Sequence, residues 1–280
     1  MGFVQHIQTC ELIPDTIADV QRYPLTGIDV LIVGAGVGGL TAALECYRKG
    51  HNVRIFEREP SISTTGDMFS IGLSGRRWIT HWPSLHAEFT CISPRVSLTT
   101  IHKHTGEMAV TKAAMGKLDG EDEEPMAIQL RSNFHRMLYD QVRKCGIEII
   151  FSKRAIDYTE DKEKGYVHTE DGGVEAADLI VASDGIGSKA QGIVNGGKVE
   201  AKKSGTSMYR ASCPPELAMV DPLVKEQFGL KEGQEAIVQV WMGPGTHSVI
   251  FVQDDIVTWA LNFKVRSTYH SSQHESRIRH

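Results

Sequence analysis

The sequence predicts an α/β protein, with a parallel sheet in its first part and a β-rich second lobe, on three observations. A nearly all-apolar run, Ile28 to Val33, leads into a helical repeat and then into a second β-rich run, Val53 to Glu57. Three glycines, Gly34, Gly36 and Gly39, stand at the junction between the first run and the helix. Beyond residue 200 the helix-then-strand steps give way to a succession of β-rich runs.

Each element follows from its local pattern. Ile28-Asp29-Val30-Leu31-Ile32-Val33 is rich in β-branched residues, as a parallel strand buried on both faces requires. Gly39 to Lys49 spaces Leu40, Ala43, Leu44 and Tyr47 at helical intervals, and Gly50 follows at the C-cap position. Val53 to Glu57 completes a strand, crossover helix and parallel strand. Val96 to His102 and Met108 to Lys112 flank a turn and predict a hairpin, while Gly120 to Pro125 reads as a solvated acidic loop. Ser132 is placed to cap a helix carrying Phe134, Met137, Leu138 and Val142, ended by Gly146 before a strand from Ile147 to Phe151. Strands at 154–159 and 165–169 and the turn Asp171-Gly172-Gly173 precede a buried strand, Ala177 to Ala182, that ends at Asp184-Gly185. Strands are then expected around 205–211, 236–242, 247–253 and 256–263, with one helical stretch near 215–228. The resulting division is an N-terminal extension (1–26, punctuated by Pro14, Pro24 and Gly27), a domain at 27–200 with interleaved insertions, a partial β-rich lobe at 201–264 and a polar tail at 265–280.

Composition narrows the function classes. With 41% hydrophobic and 23% charged residues over 280 positions, the chain is neither disordered nor collagen-like. A formal charge of -5 provides no broad basic field for nucleic acid or anionic lipid. The five cysteines are odd in number and dispersed, with no CxxC or Cys/His ligand spacing, which fits a reducing, cytoplasmic setting and no metal site. The first residues lack the basic start and apolar run of a secretory signal, and no stretch approaches the ~18 apolar residues of a membrane span.

The chemistry lies first in Gly34-Ala35-Gly36-Val37-Gly38-Gly39, a GxGxxG that follows a strand and opens a helix. Gly34 permits the tight turn, Gly36 lets backbone approach a pyrophosphate, and Gly39 lets helix and strand pack closely. The helix N-terminus offers N–H groups and a positive dipole end to phosphates. Glu57, 23 residues after Gly34, ends the second strand where a carboxylate accepts from ribose hydroxyls and disfavours a 2′-phosphate. The unit is Rossmann-like, and FAD and NAD both use it. A compact turn with a solvated Glu57 is the alternative without a ligand. A nicotinamide-dependent dehydrogenase would need a Tyr-x-x-x-Lys pair or its equivalent, which is not found.

The segment DVLIVGAGVGGLTAALECYRKGHNVRIFEREP resembles the N-terminus of class A flavoprotein monooxygenases, the group related to salicylate and 4-hydroxybenzoate hydroxylases. Their Glu-Arg pair stands here as Glu57-Arg58, and Gly66-Asp67-Met68-Phe69-Ser70-Ile71 is similar to the glycine-rich segment that runs beside the flavin. Gln129 to Phe134 is similar to a helix start whose arginine, here Arg131, contacts FAD. Ala177 to Ser188 is similar to the Asp-Gly motif, with Asp184 and Gly185, that helps hold FAD and the nicotinamide donor; Gln191 stands where the family has a basic residue. Ser207 to Ala211 resembles a strand whose arginine, here Arg210, faces a phenolate in some fungal members, the alternative being a strand-edge arginine in water. The resemblance implies an FAD cofactor, NADPH or NADH as electron donor, O2 as co-substrate, and an aromatic, phenolic or polyketide-like small molecule to be hydroxylated. Two departures stand out. No tyrosine-proline pair follows the Trp241-Met242-Gly243-Pro244-Gly245 turn, and the family's later Gly-Asp motif does not occur before His280. A C-terminally truncated member is therefore expected, and a catalytically silent flavin-binding or accessory protein stays open beside the active enzyme.

Overall fold

A computed structural model describes residues 13–62, 66–113, 126–197, 200 and 202–265. The expectations for the first twelve residues, for the acidic loop Gly120 to Pro125 and for the tail from Arg266 lie outside the described residues.

The described chain opens with a small hairpin, β1 (Ile13–Asp15) and β2 (Val20–Arg22). No periodicity announces three-residue strands; tertiary contacts hold them. Tyr47 OH donates to Asp15 Oδ2 at 2.6 Å, Tyr23 N donates to Arg48 O at 2.9 Å, and Ala18 and Val20 are buried in the main core. The described part of the expected extension is thus packed structure. Next come β3 (Asp29–Val33), α1 (Val37–Arg48) and β4 (Asn52–Phe56), with β3 and β4 parallel as the sequence predicts. Val30 to Val33 are buried without a break. In chain order follow β5 (Met68–Gly72), α2 (Leu73–Arg76), a 3-10 turn (Arg77–His81) and α3 (Pro83–Ile92), then the expected hairpin of β6 (Val96–Lys103) and β7 (Met108–Ala113).

Strand β8 (Met126–Leu130) pairs antiparallel with β5 and runs directly into α4 (Arg131–Lys144). Leu130, not Ser132, is the N-cap residue of α4. The helix starts earlier because Arg131 N already has an acceptor, Asp67 O at 3.0 Å, so no side-chain cap is needed at that group. Gly146, at φ +70, ends the turn after α4 as expected. Then come β9 (Glu148–Ile150), β10 (Ala155–Glu160), β11 (Gly165–Thr169), β12 (Val174–Ala177) and β13 (Leu179–Ala182). The single strand expected from Ala177 to Ala182 is split at Asp178, whose Oδ2 accepts from Asp29 N at 2.9 Å and fixes the corner. The rest is α5 (Gln191–Val194), β14 (Thr206–Cys213), α6 (Pro215–Ala218), α7 (Pro222–Phe228), β15 (Ala236–Gly243), β16 (Thr246–Gln253) and β17 (Val257–Lys264). The helical stretch near 215–228 is two pieces because Asp221 caps a new helix at Leu223 N, with Pro222 in its first turn.

Two compact units result, one from Met1–Pro94 and Glu121–Glu200, the other from Arg95–Gly120 and Ala201–His280. In the first, a parallel sheet of order β13-β3-β4-β9 carries two layers. Because successive strand residues face opposite ways, Val30 and Ile32 pack with Leu40, Leu44, Trp82 and Leu138 from α1, α4 and the segment before α3. Leu31 and Val33 pack on the other side with Phe56, Tyr158, Val167 and Ala177, beneath the antiparallel β10-β11-β12 sheet. The second unit is a six-stranded sheet, β14-β17-β16-β15-β6-β7, in which β15 and β6 are parallel. The boundary drawn at 27–200 therefore needs correction: the β6–β7 hairpin belongs with the later strands. The reason is pairing over a distance no local pattern reveals, as where Arg95 N bonds Glu235 across 140 positions. No described helix is long and apolar enough to cross a membrane.

Candidate cofactor site

At the carboxyl ends of β3, β4 and β13 the first unit encloses a cavity of about 820 Å³, where open α/β sheets bind their ligands. Its floor is the glycine turn, and the three fingerprint glycines have three different reasons. Gly34 has φ +105, and a Cβ there would lie 2.4 Å from Ser183 O. A Cβ on Gly39 would lie 1.8 Å from Gly34 O, so this glycine sets the close approach of α1 to the turn. Gly36 has ordinary extended geometry, φ -72, and a Cβ there would meet no protein atom within 4 Å. What its missing side chain leaves clear is the cavity it lines. No side-chain hydrogen bond caps α1, so its N-terminal turn has donors suited to an anion.

Glu57 is half-buried. Its Oε2 accepts from Ala35 N at 2.7 Å and its Oε1 from Glu59 N at 2.9 Å. The carboxylate therefore pins the glycine turn and, with about four lone-pair positions in all, keeps capacity for ligand hydroxyls. Arg58 is exposed at the rim and paired with Glu59 at 3.2 Å. Arg131 lines the cavity from the start of α4. Gly66, at φ +144, lies flat on its stem, and a Cβ there would come within 2.9 Å of Arg131 Cδ. Asp67 lends its carbonyl to Arg131 N, so Gly66, Asp67 and Arg131 form one local assembly.

Asp184 and Gly185 enter from the loop after β13. Gly185 turns the chain at φ +89. Asp184 Oδ2 accepts from Tyr158 OH at 2.8 Å, whereas Oδ1 is buried with no hydrogen-bond partner. Burial and the neighbouring carboxylate push the Tyr158 phenol far above its usual range.

Several lining groups escaped the sequence reading. His135 Nε2 donates to Ala35 O at 2.6 Å and so helps hold the glycine turn; its position four residues after Arg131 on the apolar side of α4 was the available signal. Lys153, Arg154 and Lys189 also line the cavity. With Arg58 and Arg131 they make five cationic side chains on the wall, of which Arg58, Lys153 and Arg154 are paired with Glu59, Asp171 and Glu170. Gln191, which stands where the resemblance has a basic residue, is not among the lining residues, whereas Lys189, two positions earlier, is. Arg210 belongs to the second unit. There it sits on the edge strand β14, opposite Ala260, with its side chain exposed. Every β14 residue before Cys213 is exposed.

The FAD binding domain family matches residues 27–211, from the turn before β3 into β14. The chain belongs to that family. The choice between FAD and a nicotinamide dinucleotide, open from the fingerprint alone, thus falls to FAD. The chain is 36% identical over 258 residues to the FAD-dependent monooxygenase dmxR9 of Cryptosporiopsis sp., covering 89% of this chain and 49% of that protein. It is 37% identical over 249 residues to the FAD-dependent monooxygenase fsr3 of Gibberella fujikuroi, covering 86% and 48% respectively. The crystal structure of CtdE in complex with FAD and substrate 4 superposes with a TM-score of 0.76 at 27% identity, over 88% of this chain and 59% of that one. The chain spans about half the length of the curated relatives it matches. The lining suits FAD on its own features: a turn clear of side chains at Gly36, a half-buried acceptor at Glu57, and the buried Oδ1 of Asp184.

Proposed function

We propose that this chain is the FAD-holding part of a monooxygenase that hydroxylates an aromatic, phenolic or polyketide-like small molecule with NADPH or NADH and O2. The observation that carries the proposal is the cavity at the strand ends, which joins the glycine turn, Glu57, Arg131 and the Asp184 loop in one wall. The monooxygenase names of the relatives supply the reaction class. The N-terminus of α1 and Gly36 take the pyrophosphate, and Glu57 takes the ribose hydroxyls. Arg131, braced by Gly66, lies along the cofactor together with Asp67. Asp184 and Gly185 hold the part nearest β13, and Lys189 offers the charge contact expected after the Asp-Gly pair. When bound, FAD carries electrons from the nicotinamide donor to O2, and the protein orients it and keeps water away. Arg210 is assigned to an anionic group of the aromatic substrate, a contact that requires β14 to be covered.

The decisive measurement is the visible absorption of the purified protein before and after addition of FAD, followed by NAD(P)H consumption with phenolic substrates under air and by product mass. Flavin bands with aromatic-dependent NAD(P)H oxidation and a product heavier by one oxygen are expected. Flavin bands without turnover would leave a catalytically silent flavin binder, and no uptake of FAD would sink the assignment.

A further inference from the structure

We infer that Tyr158 is a positioning residue for the cofactor site, holding Asp184 Oδ2 so that Oδ1 is presented to a hydroxyl or N–H donor of bound FAD. The inference rests on the reading of the cavity as an FAD site.

Tyr158 is the one buried residue of β10, 6% exposed, and its ring packs with Leu31, Phe56 and Val167 between the β13-β3-β4-β9 sheet and the β10-β11-β12 sheet. A phenylalanine would fill the same apolar space, so packing does not explain the hydroxyl. A buried hydroxyl is costly unless bonded, and this one is spent on Asp184 Oδ2 at 2.8 Å. The direction of that bond is fixed, since an ionised carboxylate only accepts. Burial, the bond to Asp184 and its charge all favour the protonated phenol, which stays a donor throughout the working pH range. The main chain around Asp184 is fixed as well: Ser183 N bonds Val33 O at 2.8 Å, and Gly34 lies against Ser183 O. What remains free is rotation of the carboxylate, and Tyr158 removes it. The outcome is a lone acceptor, Asp184 Oδ1, buried and without a partner on a residue that lines the cavity. Native structures rarely leave such an atom unsatisfied, and a donor on the ligand completes the set.

The test is a double-mutant cycle on the 280-residue chain, with Tyr158→Phe, Asp184→Ala and the pair, read by FAD titration through quenching of flavin fluorescence. Tyr158→Phe is expected to raise the FAD dissociation constant about five- to tenfold, the range of one net hydrogen bond. In the Asp184→Ala background the same change is expected to matter less than about twofold, because its target is gone. An equal loss in both backgrounds would assign Tyr158 to packing and overturn the inference, as would a wild-type affinity in Tyr158→Phe. Ultraviolet titration of tyrosinate, which needs no FAD, separates the two levels. One phenol should resist ionisation in the wild type and ionise at lower pH in Asp184→Ala. That contrast, seen in a protein that takes up no FAD, would overturn the cofactor reading and the inference with it. FAD uptake without coupling would overturn the role of Tyr158 alone.

Discussion

The glycines of the turn separate two kinds of constraint that one motif combines. Gly34 and Gly39 answer to protein backbone, whereas Gly36 answers to the cavity. Gly34→Ala is therefore expected to destabilise the fold by about 1–3 kcal/mol, from positive φ and the clash with Ser183; a thermal melt checks it. Gly36→Val should melt close to wild type yet purify without flavin, because its side chain enters the pyrophosphate path; a yellow Gly36→Val protein would remove the loop from the cofactor site. Glu57→Ala is expected to weaken FAD binding by about 1.5–3 kcal/mol through loss of a charged acceptor, and equal affinities in a titration would refute it. These positions were legible because their roles depend on the backbone of a short segment. Tyr158 and His135 were not, since each acts on residues brought near only by sheet and helix packing: Asp184 lies 26 positions from Tyr158, and Ala35 lies 100 from His135.

Among the elements, those with strong local periodicity, β3, α1, β4, α4 and the four strands β14 to β17, were predicted within a few residues. The ones that were missed lack such a pattern. Strands β5 and β8 are five residues each and find each other across the hairpin inserted between them. The β1–β2 hairpin exists through its anchors: Arg22 lies over the Tyr47 ring at 3.6 Å, Tyr47 holds Asp15, and Asp19 Oδ2 accepts from Ser84 Oγ at 2.6 Å. Burial works against ionisation of Asp15, but the bonds from Tyr47, Ala18 and Ile17 and the charge of Arg22 outweigh it and hold the carboxyl below its usual value. Glu45 follows the same logic, with bonds from Arg48 and Trp82 overcoming burial. A depressed pKa gives stability that is present above the unfolded values, near 4, and is lost as pH falls through the folded values. Acid melts are thus expected to show a loss below about pH 4 that Asp15→Asn with Glu45→Gln flattens; an unchanged acid limb in that double variant would disprove the anchoring. Burial also pushes the Cys145 thiol up to about 12, so at neutral pH iodoacetamide should label the exposed Cys91 well ahead of Cys145.

For the molecule as a whole, fold class was legible because a βαβ unit and its fingerprint are contiguous, while the division into units was not, because the second unit borrows a hairpin from the middle of the chain. The substrate assignment belongs at this scale too. Arg210→Gln, made in this chain and in a version extended to include a Gly-Asp segment, is expected to leave flavin content unchanged and to weaken aromatic substrate by about 2–5 kcal/mol in the extended protein. Unchanged substrate affinity and turnover there would retire Arg210. The borrowed hairpin has a further consequence for how the protein is made. Ribosomes release β6 and β7 well before β15, the strand that covers the open edge of β6, and Val96, Leu98 and Ile101 wait meanwhile on a strand with one side unpaired. Such an edge templates association between nascent chains. A fragment stopped at Glu200 would carry every strand of the first unit and still be expected to aggregate, whereas the same fragment with residues 95–120 replaced by a short polar linker should stay in solution.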